Sequence, residues 1–171
     1  MPFKNKYWLF GLTAGLLGAV LQYFYFYHRW YIIPQTKALV LTAQFGILVS
    51  TIVAFAWIHG RGILRKGQIV FSGMLIASIK ALVMLLAYSF LYFQQPNTLE
   101  EIKNDTLNKQ EHLSKIQNKP FEREEAKKTL EISSKPANWG VAKLFSNLFS
   151  GLFASVFVAL FFGKSPNPNE T

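Results

Sequence analysis

The residue best placed to do chemistry is Lys80. It is the one charge inside an apolar stretch, Ile69 to Phe93, that reads IVFSGMLIASIKALVMLLAYSFLYF. A lysine near mid-membrane costs about 2.5–3.5 kcal/mol on insertion scales, and no Asp or Glu lies in any apolar stretch of the chain to pair with it. Three outcomes offset that cost. The stem can snorkel to the nearer interface, which is geometrically easy because a helical side chain leans toward its own N-terminus. The amine can be neutral and hydrogen-bonded to Ser, Thr, Gln or carbonyl oxygens, holding a bundle together. A partner can supply an acid. Beyond these stands a transport or proton-relay role, as intramembrane ionisable residues often have.

Nothing else assembles a reaction. His28, His59 and His112 are isolated, and there is no HExxH, GxSxG or phosphate-cradling glycine loop. A lone loop histidine is usually a solvated or interfacial side chain. With no cysteine, disulfides, thiol catalysis and cysteine-ligated metals are excluded. The expectation is a protein that is not an enzyme, with no catalytic residues, cofactor or metal. The net charge of +9 does not indicate nucleic acid. Nine of the 18 basic residues lie between Gln94 and Lys143, mixed with eight acidic ones, whereas a nucleic-acid face is basic without interleaved acids.

Of the 171 residues, 51% are hydrophobic and 16% aromatic, and they are clumped rather than periodic, as in membrane spans joined by wet loops. The expected fold is an all-α membrane protein forming a single membrane domain, residues 1–171. Its four transmembrane helices cover about 7–26, 38–58, 69–93 and 141–162, and a polar, partly helical segment separates the third from the fourth. The first stretch follows a basic head, Lys4 and Lys6. It reads as a retained span rather than a cleaved signal, because it lacks a small-x-small site and runs into an aromatic belt of Tyr23, Tyr25, Tyr27, Trp30 and Tyr31.

Small residues at four-residue spacing mark the faces where backbones can approach. In span 1 they are Gly11, Gly15 and Ala19, in span 2 Ala43, Gly46, Ser50 and Ala54, in span 3 Gly73 and Ala77 on the Lys80 stripe, and in span 4 Gly151, Ser155 and Ala159. For span 1, packing within one molecule is the ordinary reading and a homodimer seam the sharper one. The polar members of the spans are Lys80, Gln22, Gln44, Asn147 and scattered hydroxyls. Ser and Thr hydroxyls can return to the i−4 carbonyl and need no further explanation.

Pro34 separates the first two spans. The second loop carries Arg61, Arg65 and Lys66 with no acid, which by the positive-inside rule places it, and with it both termini, on the cytoplasmic side. A strict count that includes the nine basic residues of the long charged segment reverses the orientation, and that segment is discounted because its charges lie mostly far from the spans. The polar segment, about 97–133, opens with Thr98 and Glu101 at capping-box spacing and breaks at Pro120. It continues as a second helix over Phe121–Ile132, with Glu124 and Lys128 at i, i+4. Leu99, Ile102, Leu113 and Ile116 give it a thin apolar stripe. It is a solvated helical arm, or a docking site for another protein. The tail, residues 163–171, is Pro- and Asn-rich and reads as disordered.

Taken together these features resemble the membrane proteins grouped as domain of unknown function 4199, found mainly in Bacteroidota. The resemblance rests on four features. The first is the glycine-rich turn Phe10-Gly11-Leu12-Thr13-Ala14-Gly15, and the second is the short basic loop before span 3. The third is the run Gly67-Gln68-Ile69-Val70-Phe71-Ser72-Gly73 that opens span 3. The fourth is a charged helical segment followed by the small-residue core Phe149-Ser150-Gly151-Leu152-Phe153-Ala154-Ser155. Members of that family often end in a run of Lys or Arg, where this chain has only Lys164. The resemblance implies a fold and a location, a bacterial cytoplasmic (inner) membrane, and brings no activity with it. The functional expectation is therefore a small non-enzymatic structural or accessory component, embedded in the lipid bilayer. It would meet a protein partner through 97–133 or form a homo-oligomer. The alternative is a component of an oligomeric transporter or channel that uses Lys80.

Overall fold

A computed structural model describes residues 6–28, 34–60, 64–94 and 96–164. Lys4, Arg29, Trp30, Tyr31, Arg61 and the tail from 165 lie outside the described residues, as do the side chains of His59 and Thr98. Four stretches without acidic residues satisfy their backbone groups internally as long helices. They are α1 (Tyr7–Tyr27), α2 (Pro34–Phe55, continued by a π-helical turn, Ala56–Gly60), α3 (Lys66–Gln94) and α6 (Pro136–Phe162). Pro34 and Pro136 open their helices, where a missing N–H costs nothing. All four are long and apolar enough to cross a bilayer; the 21 residues of α1 span about 31 Å. The chain is an all-α, multi-pass membrane protein, and no strand occurs among the described residues.

α3 packs broadly on α6 and on α1, while α2 touches both α1 and α6, so the helices close in the order α1, α3, α6, α2. The core is the contact of Leu48, Ile52 and Phe55 from α2 with Ile69, Ile76 and Ala77 from α3 and Ala154 and Val158 from α6. The outer faces are apolar and suited to lipid. On α6 they carry Phe145, Phe149, Phe153, Phe157 and Phe161, all exposed. At one end, the Lys164 N–H donates to the Leu64 carbonyl at 3.1 Å, and Arg65 and Lys164 form an isolated bridge. Arg65, Lys66 and Lys164 therefore gather at that end.

The polar arm leaves from the other end. It consists of α4 (Pro96–Ile116) and α5 (Arg123–Ser134). α4 starts two residues before Thr98, so Thr98 lies inside the helix and is not its cap. α4 stops before Pro120 in a Schellman turn. Asn118 takes φ 50°, its N–H donates to the Lys115 carbonyl at 3.3 Å and the Lys119 N–H to the Ser114 carbonyl at 2.9 Å. The stripe expected on α4 is only partly inward. Leu99 is buried against Tyr88 and Leu91, and Leu107, absent from the expected stripe, is buried too, but Leu113 and Ile116 are exposed. Arg123 crosses the hairpin to Glu111 Oε2 at 2.6 Å and Asn108 Oδ1 at 3.0 Å.

Candidate functional site

Each spanning helix sends a polar side chain to one junction in the bundle. Gln44 of α2 is its hub. Lys80 Nζ, from the middle of α3, donates to the Gln44 main-chain oxygen at 2.8 Å. Lys143 Nζ, from α6, donates to Gln44 Oε1 at 3.1 Å. Gln44 Nε2 donates in turn to Gln22 Oε1 of α1 at 2.8 Å. Asn147, one turn beyond Lys143, donates to the Lys143 carbonyl at 2.8 Å. Lys80 is 2% exposed, and Gln44 and Asn147 are 5% exposed.

Lys80 therefore does not snorkel. Its stem lies on Gly18, where an added Cβ would come 3.4 Å from Lys80 Cε and 3.2 Å from Met84 Sδ. The absent side chain of Gly18 lets the lysine turn across the bundle, and a carbonyl of the facing helix accepts its hydrogen bond. Lys143 was not among the polar span residues expected from the sequence. It lies two residues inside the expected start of the fourth span, and because α6 begins at Pro136, five residues before that boundary, it sits about two turns into the helix. Its amine stands 5.8 Å from the Trp139 ring centroid, within cation–π range. Trp139 stacks on Tyr88 at 4.0 Å, and the Tyr88 hydroxyl donates to the Ser134 carbonyl at 2.9 Å. The junction thus continues through aromatic contacts to the base of the arm.

The small residues sort by helix. A Cβ on Gly11 would lie 2.6 Å from Ile79 Cβ, and one on Gly15 would lie 2.6 Å from Val83 Cβ. A Cβ on Gly73 would collide with Ser155, and one on Gly151 with Ala77. Ser155, fully buried, returns its hydroxyl to the Gly151 carbonyl. α1 buries Gly11, Ala14, Gly15 and Gly18; Ala19 is only half-buried. Gly46 is a correction. It is exposed and has no atom within 4 Å of an added Cβ. The inward face of α2 is Val40, Gln44, Leu48 and Ile52, because the large core residues and the hub amide lie there rather than the Ala43–Gly46–Ser50–Ala54 stripe.

The remaining polar groups have local partners. Thr13, Thr51 and Ser78 donate to carbonyls four residues back. His28 caps the end of α1 and stacks on Phe24 at 5.8 Å. Among the described residues no three of His, Asp and Glu are grouped as metal ligands. On the arm, the hydrogen bond and charge of Lys115, then those of Arg123, hold the Glu111 carboxyl below the ordinary carboxylate range.

Residues 9–164 match the model of one protein family, described as a protein of unknown function (DUF4199). No curated protein matches the chain, and no solved structure does.

Proposed function

The chain belongs to the DUF4199 family, a family of unknown function, and on that premise we propose that it is a non-enzymatic structural or accessory component of a larger membrane assembly. The α4–α5 arm is the face offered to a protein partner. The observation that carries this reading is the state of the arm's apolar residues. The bundle uses its polar side chains on contacts between its own helices, whereas Leu113, Ile116 and Ile132 are each more than half exposed on an arm braced by Arg123. Leu113 and Ile116 lie one turn apart on α4, and adjoining exposed apolar groups, unlike single scattered ones, mark contact surfaces. The reading includes a bacterial cytoplasmic membrane. The end that carries Arg65, Lys66 and Lys164 then faces the cytoplasm, as basic residues beside spans favour, and the arm faces the other side.

The test is purification from the native membrane in mild detergent, with mass determination of the intact assembly, for the wild type and for a Leu113→Asp, Ile116→Asp variant. A stoichiometric second protein, lost in the variant, is the expected result. A wild-type chain that runs alone or only with copies of itself would overturn the reading.

A further inference from the structure

α1 and α3 touch closely along half their length and part along the rest. At Gly11 and Gly15 the side chains of Ile79 and Val83 occupy the space a Cβ would take. Beyond Ala19 the α1 residues are larger, and the two helices enclose a crevice of about 320 Å³. That is the lower part of the range for small-molecule sites, roughly 300–1,000 Å³. Tyr23, Phe26, Ala87 and Phe90 are among its walls, and it opens sideways past exposed Tyr23 and Phe90 toward lipid. Gln22 is the one amide in the wall.

The crevice adjoins the polar junction. Gln22 belongs to both, and Met84, another wall residue, shares the seat on Gly18 with the Lys80 stem. The junction has more donors than acceptors. An ammonium group offers three N–H donors and a primary amide two. Among the described residues, Lys80 and Lys143 each donate one hydrogen bond, and the Gln22 amide nitrogen donates none. Both lysines lean on the same neutral residue, Gln44, and the four spans contain no carboxylate. A negative charge is the complement this arrangement lacks.

We infer that the crevice binds a lipophilic monocarboxylate, its apolar body between α1 and α3 and its carboxylate at Gln22, in the field of Lys143 and Lys80. The crevice runs from Ala19 to Phe26 on α1, about 10 Å, which suits one short hydrocarbon body and not a two-chain lipid. This inference does not rest on the partner-binding role assigned to the arm.

Decanoate is the probe, added to the purified full chain in a nonionic detergent, with decanol and decyltrimethylammonium as the neutral and cationic controls. Decanoate raises Tm saturably and the controls do not. Radiolabelled decanoate binds at equilibrium, and its affinity falls about tenfold or more in a Lys80→Met, Lys143→Met variant. Ala87→Phe, which fills the crevice, abolishes the binding. Should the double variant fail to fold, Lys143→Met alone takes its place. Stabilisation by decanol equal to that by decanoate, wild-type affinity in the lysine variant, or no binding of decanoate overturns the inference.

Discussion

Lys80 donates to the main-chain oxygen of Gln44 at 2.8 Å across the bundle, so the charge at the centre of α3 is tied to the backbone of the helix it faces. A helical carbonyl already accepts a bond from its own helix, and it is not orphaned when the lysine is removed. Lys80→Met keeps an unbranched stem on Gly18 and removes an expensive charge. Its Tm in detergent equals or exceeds that of the wild type. A loss of more than a few degrees would make Lys80 a required structural tie.

Gln44→Leu behaves in the opposite way. It strands the Lys143 amine and the Gln22 carbonyl oxygen, each of which loses the partner it has in the junction. Leaving a buried polar group unsatisfied costs about 1–3 kcal/mol, which lowers Tm by several degrees. Thermal unfolding of the two variants side by side separates the hub from the residue it holds.

Gly15→Ala destabilises the bundle and Gly46→Ala does not. A methyl group on Gly15 lies 2.6 Å from Val83 Cβ, and overpacking of this kind costs about 1–3 kcal/mol. A methyl group on Gly46 meets nothing within 4 Å and changes stability by no more than about 0.5 kcal/mol. Equal thermal transitions for the two variants would refute the tight α1–α3 contact.

The turn of the arm responds to acid. Glu111 is held below the ordinary carboxylate range by Lys115 and Arg123, so its ionised form favours the folded hairpin. That contribution is complete above the unfolded pKa of about 4.3 and is lost as pH falls through the lower folded value. Hydrogen exchange at the α4–α5 turn rises in that acid range, and Glu111→Gln removes the pH dependence. Exchange in α3 is the internal control.

Because the chain contains no cysteine, single cysteines report its orientation directly. Lys119→Cys, in the arm turn, is labelled by an impermeant maleimide in intact spheroplasts. Lys164→Cys is labelled only in inverted vesicles. The reverse pattern would turn the protein over in the membrane.

Local chemistry made the four spans and the helical character of the arm readable in the sequence, since long acid-free runs and a prolines-and-charges insertion are visible residue by residue. The junction was not readable, for three physical reasons. Lys143 lies at the edge of the expected fourth span, where it resembles a headgroup contact, and the start of α6 at Pro136 puts it about two turns into the helix instead. Four-residue spacing drifts from the helical period of 3.6, so α1 buries Gly18 where that spacing points to Ala19. Spacing also shows which residues share a face but not which face turns inward. In α2 the packing of Leu48 and Ile52 decided that, against the small-residue stripe. The pairing of Gln44 with Lys80 and Lys143 joins helices distant in sequence, and no local pattern encodes it.

The broad α3–α6 contact has one more consequence, because the segment joining those helices touches the bundle at its base, through Leu99 and Ser134, and not at the Gly73–Gly151 contact. Gly73 and Gly151 bring the two backbones together without help from the connection. A cut at residues 117–121 therefore yields two stable pieces, one with three spans and one with a single span. Produced from separate genes, the halves reassemble in the bilayer, and the arm's own two helices become the free ends of a complementing pair.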